Sequence, residues 1–189
     1  MDILKTILQH QIPLLSEAEL SEFLSLWTIE RQLKRQEYLY GHGREQMHLY
    51  FIRKGAFKIF HETDDLKELI VGFGYMHTLL LDLPSFVAGL ASIYRIQALR
   101  KSELIGIHKR DFYGFMERCP PLATYWRQQM ELALLNRLER EIDILMESPQ
   151  KRYERVLERS PILFQEIPHK FIAAYLRMTP ETLSRLKRS

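Results

Sequence analysis

A stretch without glycine or proline, from Leu122 to Glu147, constrains this chain more than any other feature. Its apolar residues recur every three or four positions, which predicts one amphipathic helix of roughly 39 Å. That length exceeds what a small domain needs for its own core, so a second copy of the chain is the simplest partner for the apolar stripe. Alternatively, the helix lies across a domain of its own chain. Gln128 and Gln129 interrupt the stripe, so a strict heptad is not predicted. The candidate dimerisation residues are Trp126, Met130, Leu134, Leu138, Ile142 and Leu145.

The region between about Thr28 and His108 has a different character, because short β-type runs alternate with turn residues. Before it, Ser16 and Glu19 have the spacing of a capping box at a helix start. Several short strands at this spacing predict an antiparallel sandwich or barrel. The predicted strand segments are 38–40, 49–52, 56–60, 69–71, 94–99 and 104–107, and the predicted turns are 41–43, 53–55, 63–65 and 72–74.

The last residues of the chain predict two short helices joined by a tight turn. Pro168 suits the first turn of one helix, whose apolar face is formed by residues 171, 172, 175 and 176. Thr179 then suits an N-cap, with Pro180 at the first helical position and Glu181 in the first turn. This pattern is typical of a helix-turn-helix, although a helical hairpin that caps a core would look similar.

Positive charge is concentrated in the same part of the chain. Residues 151–189 contain nine Lys or Arg and four acids, a balance of +5, while the other residues contain 18 bases and 20 acids, a balance of −2. A basic segment on a slightly acidic body predicts a polyanionic partner for that segment. A solvated helical face with a chance excess of charge is the alternative.

Four stretches in this order resemble the Crp/Fnr family of bacterial regulators, especially its short Bacteroidetes-type members. They are LYFIRKGAFKIF from Leu49, LDLPSFVAGLASIYRIQAL from Leu81, the long helix, and IAAYLRMTPETLSRLKR from Ile172. The resemblance implies an α+β fold with a double-stranded β-helix, which is a cyclic-nucleotide-binding β-roll, at residues 1–117. It further implies a dimerisation helix at 118–148 and a helix-turn-helix DNA-binding domain at 149–189. The sequence stops at Ser189, right after the second helix, so we expect most or all of the wing to be missing unless the sequence was cut short.

The resemblance also assigns residues to DNA, and names double-stranded DNA, a second copy of the chain and RNA polymerase as partners. Arg185 can donate two hydrogen bonds to a guanine edge, and Glu181 can accept one from cytosine. Both residues stand at positions where family members commonly read bases. Pro180 stands where Arg is frequent, so the base preference should differ. Arg177 stands where the turn often has Gly. The candidate DNA-binding residues are Thr179, Glu181, Thr182, Ser184, Arg185, Lys187, Arg188 and Lys170.

The effector pocket is expected to be degenerate. A cyclic-nucleotide site needs a Gly-Glu pair for the ribose and an Arg followed by Ser or Thr for the cyclic phosphate. Leu81-Asp82 and Ser92-Ile93 stand at these positions, and Arg95 is expected to point away from the site. We therefore predict that cyclic AMP does not bind. The pocket is either adapted to an apolar ligand or, as the sequence favours, filled by side chains.

Other chemistries find little support in the sequence. Cys119 is the single cysteine, so neither a disulfide nor an iron–sulfur cluster is expected. The seven histidines lack metal-ligand spacing, and no catalytic constellation points to an enzyme or a cofactor. Neither a signal peptide nor a membrane span is predicted, so a cytoplasmic location is expected. The alternative function is a ligand-binding or protein-interaction module of the same fold that does not bind DNA.

Overall fold

The computed structural model describes residues 1–40 and 43–187, and the strands among them form two facing antiparallel sheets. One sheet has the order β1-β8-β3-β6 and the other the order β2-β7-β4-β5. The strands are β1 (Ile29–Leu33), β2 (Tyr38–Tyr40), β3 (His48–Lys54), β4 (Ala56–Glu62), β5 (Glu68–Tyr75), β6 (Leu79–Leu80), β7 (Arg95–Ala98) and β8 (Ser102–His108).

Helices precede, interrupt and follow the sheets. Ser16 and Glu19 form the predicted capping box, with the Ser16 hydroxyl accepting from the Glu19 backbone and the Glu19 carboxylate accepting from the Ser16 backbone. The helices are α1 (Asp2–Gln11), α2 (Glu17–Ser25), α3 (Leu83–Ala88), α4 (Lys109–Met116), α5 (Pro120–Leu145), α6 (Pro149–Arg159), α7 (Pro161–Glu166), α8 (His169–Tyr175) and α9 (Pro180–Leu186). None of these helices combines the length and apolarity that a bilayer crossing requires.

The predicted strand segments are confirmed, but the turn expected at residues 72–74 is wrong, because these residues lie inside β5. The glycine at position 74 serves packing: a Cβ there would lie 2.8 Å from side-chain carbons of Ile52 and of Leu80. The strands β1 and β6 were not predicted. They form the two opposite edges of the same sheet.

Two apolar cores hold this half of the chain together. One lies between the sheets and includes Ile52, Phe57 and Ile96. The other lies between the outer side of the first sheet and the helices α1, α2, α4 and the start of α5, and includes Phe23 and Phe112. Trp126 belongs to this second core, packed against the ring of Phe112 with centroids 4.8 Å apart, and only 8% of it is exposed. The expectation that Trp126 contributes to a dimer interface is therefore corrected.

A third core joins the C-terminal helices to the second sheet. Residues of α6 to α9 pack around Ile172 and Leu183, which are fully buried, and against Phe73 of β5. The rings of Phe73 and Tyr175 lie 5.4 Å apart. The C-terminal helices thus rest on the β-roll as well as on α5.

An ion-pair network fixes α6 against α5. Asp143 on α5 is 1% exposed, and its carboxylate accepts from Arg155 at 2.8 Å and from Arg159 at 2.5 Å. Arg155 also pairs with Glu139 at 2.5 Å. The hydrogen bond to Asp143 raises the pKa of the Arg155 guanidinium.

We expect Asp143→Ala to lower the free energy of unfolding by about 1–2 kcal/mol, because it removes charge-assisted hydrogen bonds between α5 and α6 while Arg155 and Arg159 keep Glu139 as a partner. Urea unfolding followed by circular dichroism measures the change. Glu141→Ala, at an exposed position of the same helix, is the control and should change stability by less than about 0.5 kcal/mol. Equal effects of the two substitutions would contradict this assignment.

Candidate nucleic-acid interface and effector cleft

The terminal helix pair, α8 and α9 with the turn between them, is built as its sequence predicts. Thr179 caps α9, and its hydroxyl accepts from the backbone N–H of Thr182 at 3.2 Å. Pro180 takes the first helical position, where its missing N–H costs nothing. Leu176 and Leu183 are buried in the third core, so the inner faces of both helices are anchored.

Arg177 occupies the turn with a φ of 53°, in the left-handed region. A residue with a Cβ costs on the order of 1 kcal/mol there, which explains why glycine is common in such turns. The carbonyl of Arg177 accepts from Arg152 at 3.4 Å, and the same guanidinium donates to the carbonyl of Met146 at 2.8 Å. Arg152 thereby ties the strained turn to the end of α5.

Most of the residues predicted to contact DNA lie on one exposed surface. Thr182 is half-buried, and the Lys187 ammonium lies 2.7 Å from Nε2 of His169. The backbone N–H of Glu181 lowers the pKa of its own carboxyl group, so this side chain is charged at neutral pH. Arg188 lies outside the described residues. The exposed residues of the predicted set are Lys170, Thr179, Glu181, Ser184, Arg185 and Lys187.

Cations and aromatic rings connect this helix pair to the β-roll. The Lys58 ammonium is buried between the rings of Phe60, at 4.4 Å, and Phe171, at 5.1 Å, and it pairs with Glu68. Arg140 of α5 lies 4.7 Å from the Tyr175 ring centroid and donates to a β5 carbonyl. The contacts of Lys58 with Phe171 and of Arg140 with Tyr175 join residues far apart in the chain, so no local pattern predicted them.

At the expected effector pocket, the carboxylate of Asp82 already forms hydrogen bonds within the chain. Asp82 is 2% exposed, caps α3 by accepting from the backbone of Ser85 at 3.2 Å, and contacts the hydroxyl of Ser92. Arg95 forms an ion pair with Glu62 at 2.8 Å, as expected of a side chain that does not serve the pocket.

The pocket is nevertheless not filled. A cleft of 450 Å³ lies between the β-roll and α5, and Leu81 lines it without closing it. Ile93, the other bulky residue at a predicted pocket position, is mostly exposed and does not line the cleft. The expectation of packed side chains at this place is therefore corrected, since the volume depends on how far α5 stands from the sheet. The remaining lining residues are Ile59, Val71, Asp82, Leu83, Pro84, Tyr94, Met130, Ala133, Leu134 and Arg137.

Comparison with known proteins identifies the β-rich half. Residues 30–119 match the family model of the cyclic nucleotide-binding domain. The match covers the β-roll and stops before α5. No curated protein sequence matches the chain.

The overall fold is similar to that of solved bacterial regulators, one of which is assigned to the Crp/Fnr family. The Thermus thermophilus Catabolite Activator Protein is 20% identical, with 92% of this chain and 83% of that chain covered and a TM-score of 0.58. The c-di-GMP-responsive global regulator CLP of Xanthomonas campestris is 15% identical, with 92% and 90% covered and a TM-score of 0.67. A protein from Eubacterium rectale assigned to the Crp/Fnr family is 19% identical, with 92% and 82% covered and a TM-score of 0.66.

The described residues hold no cluster of three or more His, Cys, Asp or Glu side chains that could bind a metal ion. Cys119 is buried, and burial raises the pKa of its thiol.

Proposed function

We propose that this chain is a homodimeric DNA-binding transcription regulator of the Crp/Fnr type, in which α8 and α9 form the helix-turn-helix and α9 is the recognition helix. The observation that supports this most directly is the division of α9 into two faces. Leu183 anchors its inner face in the third core, while its outer face exposes Glu181, Ser184 and Arg185. A regulator of this type acts in the cytoplasm, and on family resemblance its further partner is RNA polymerase.

The residue types on the outer face suit the major groove. Glu181 and Arg185 are four residues apart and so lie on one side of the helix, where each can reach a base edge. The hydroxyls of Thr179 and Thr182 stand at the N-terminal end, where backbone N–H groups and the helix dipole favour phosphate. Lys170 and Lys187 supply sequence-independent phosphate contacts.

The proposed dimer forms through the second half of α5. Leu134, Leu135, Leu138, Ile142 and Leu145 are between 45% and 81% exposed, although they are large and apolar. At 3.6 residues per turn, they fall within an arc of about 100°. Leu135, Leu138, Ile142 and Leu145 are also spaced by three, four and three residues, the spacing of a coiled-coil seam. The surface leaves out Trp126, while Met130 is half-buried at its edge.

The proposed regulator does not respond to cyclic AMP. The cyclic phosphate would face Ser92-Ile93, where the arginine of the family pattern is missing, and Asp82 at the ribose position is engaged by Ser85 and Ser92. Arg137 of α5 lines the cleft, but it stands outside the segment around Ser92-Ile93 that carries the phosphate ligand in the family pattern. The effector that this cleft suits is therefore more apolar than cyclic AMP.

We expect Leu138→Glu to convert the dimer into a monomer, because the two-fold symmetry of the seam would bring two buried like charges, one from each copy, close together. Sedimentation velocity at micromolar concentration measures the mass. Leu132→Glu is the matched control, since Leu132 is 52% exposed but lies outside the arc. A wild-type monomer, or equal dissociation by both variants, would overturn the proposed interface.

We expect selection from random DNA to recover a pseudo-palindrome with half-sites about 34 Å apart. On that sequence, Arg185→Ala should weaken binding by about 1–3 kcal/mol and relax one base position. Lys170→Ala should instead weaken binding to all DNA sequences alike. It should also reduce the slope of the logarithm of the binding constant against the logarithm of salt concentration by about one. Absence of DNA binding at every salt concentration would favour the alternative of a ligand-binding or protein-interaction module.

We expect cyclic AMP to leave the melting temperature unchanged. A ligand at one hundred times its Kd stabilises a protein by about 2.7 kcal/mol, so micromolar binding would be visible at submillimolar cyclic AMP. Calorimetric titration provides a second readout. Micromolar affinity in either measurement would contradict the proposal that the phosphate site is lost.

A further inference from the structure

The lining of the effector cleft favours one class of small molecule. The cleft has a volume of 450 Å³, within the range of about 300–1,000 Å³ that small-molecule sites occupy. Its walls from α5 and from the β-roll are mostly apolar, so most of a bound molecule would contact hydrocarbon. Among the described residues that line it, the polar ones are Asp82, Tyr94 and Arg137.

The carboxylate in this lining already has its partners. Oδ1 of Asp82 accepts from the backbone N–H of Ser85 at 3.2 Å, and Oδ2 accepts from the hydroxyl of Ser92. The residue is only 2% exposed. Asp82 therefore has little capacity left to accept hydrogen bonds from a ligand or to pair with a cationic one.

The hydrogen-bond donors in the lining are in the opposite situation. Neither the guanidinium of Arg137 nor the hydroxyl of Tyr94 forms a hydrogen bond or an ion pair within the part of the chain that the structure describes. Arg137 is exposed, so its guanidinium is accessible to a molecule in the cleft. Both groups can donate hydrogen bonds, and the guanidinium also carries a permanent positive charge. Free donors beside a satisfied acceptor favour a ligand that supplies negatively charged acceptors.

A second arginine, one turn further along α5, adds to the positive potential. Arg140 donates to the backbone carbonyl of Ile70 at 2.9 Å, next in sequence to Val71 of the cleft wall, and has no ion pair within the described residues. Burial lowers the pKa of the Arg140 guanidinium, and the like charge of Arg137 lowers it further. An anion bound at Arg137 would offset this repulsion.

The geometry of α5 keeps Arg137 apart from the proposed dimer surface. At 3.6 residues per turn, the cleft residues of α5 fall within an arc of about 100°, which adjoins the arc of exposed leucines at Leu134. Arg137 lies about 60° outside the leucine arc, so pairing of two copies does not need to cover its guanidinium. The cleft residues of α5 are Met130, Ala133, Leu134 and Arg137.

We propose that the effector cleft binds an amphipathic monocarboxylate, whose apolar body packs between α5 and the sheet and whose carboxylate accepts hydrogen bonds from Arg137. A guanidinium suits this group, because two of its N–H groups can donate in parallel to the two carboxylate oxygens. The proposal deepens the proposed function and rests on it only for the role of the ligand as an effector. Binding itself depends on the cleft alone.

The probes for this site are octanoate, 1-octanol and octylammonium, which share one apolar chain and differ in charge. Calorimetric titration of the full chain, without DNA, measures the Kd of each. Octanoate should bind with a submillimolar Kd, about fivefold more tightly than 1-octanol, because of the charge-assisted hydrogen bonds to Arg137. Octylammonium should bind more weakly than 1-octanol, because it would face the positive charge of the same residue.

Substitutions of single arginines test the countercharge. Arg137→Gln keeps a polar side chain and removes the charge, so it should reduce the affinity for octanoate to that for 1-octanol and leave 1-octanol binding unchanged. Arg137→Lys keeps the charge and should retain part of the preference for octanoate. Arg127→Gln is the matched control, because Arg127 is an exposed arginine of the same helix that does not line the cleft. It should retain the fivefold preference.

Two tryptophan variants locate the site. Ala133→Trp places bulk in the cleft and should abolish binding of octanoate and 1-octanol. Gln128→Trp places the same bulk at an exposed position of α5 outside the cleft and should leave both affinities unchanged. Circular dichroism and melting curves check that each variant folds.

The proposal is overturned if octanoate binds no more tightly than 1-octanol or octylammonium, or if Arg127→Gln lowers the preference as much as Arg137→Gln does. Octanoate binding that survives in a folded Ala133→Trp variant would also overturn it. Saturable octanoate binding by a chain that binds no DNA would refute the regulator and keep the ligand site. DNA binding by a chain that shows no saturable octanoate binding would refute the ligand site and keep the regulator.

Discussion

The structure depends on one helix that serves two sides of the molecule. The first half of α5 buries Leu122 and Trp126 in the chain's own core, and its second half anchors α6 through the buried carboxylate of Asp143. The opposite side of that second half exposes an apolar surface. Since burial of apolar surface is the main favourable term in association, this exposed surface is what supports the proposed pairing with a second copy.

Contacts with both the sheet and α5 hold the terminal helix pair in place. Tyr175 packs against Phe73 of the sheet and lies beneath the guanidinium of Arg140 from α5. A change in the distance between α5 and the sheet therefore acts on the same tyrosine from two sides. The effector cleft occupies that interval, with Met130 and Leu134 on one wall and Ile59 and Val71 on the other. These contacts connect the walls of the cleft to α8.

Local signals in the sequence predicted a large part of this architecture. The capping residues Ser16 and Thr179 mark helix starts that the structure confirms, and the glycine-free, proline-free run predicts α5. The edge strand β1 has the sequence IERQL and exposes most of its side chains, so it lacks the apolar alternation by which strands are recognised. The helix α7 is only six residues long, begins at Pro161 and ends before Pro168. Because prolines at this spacing indicate turns or loops, no helix was predicted there.

Tertiary features escaped prediction because they depend on distances between elements. The apolar character of Leu81 and its neighbours is compatible with either a filled or an open pocket, and only the position of α5 decides between them. Similarly, the stripe on α5 reads as one surface in sequence, whereas the fold assigns Trp126 to an internal core and the later leucines to the exterior. The helix-turn-helix pattern, the basic charge and the family resemblance led to the DNA-binding hypothesis, while the exposed outer face of α9 supplies its structural support.

Hydroxyl-radical footprinting on a selected DNA sequence tests the central claim most directly, because it reports where two recognition helices lie on one duplex. The account predicts two protected patches related by two-fold symmetry and separated by about one helical turn, 34 Å. A single patch, protection without symmetry, or no protection at any protein concentration would contradict it.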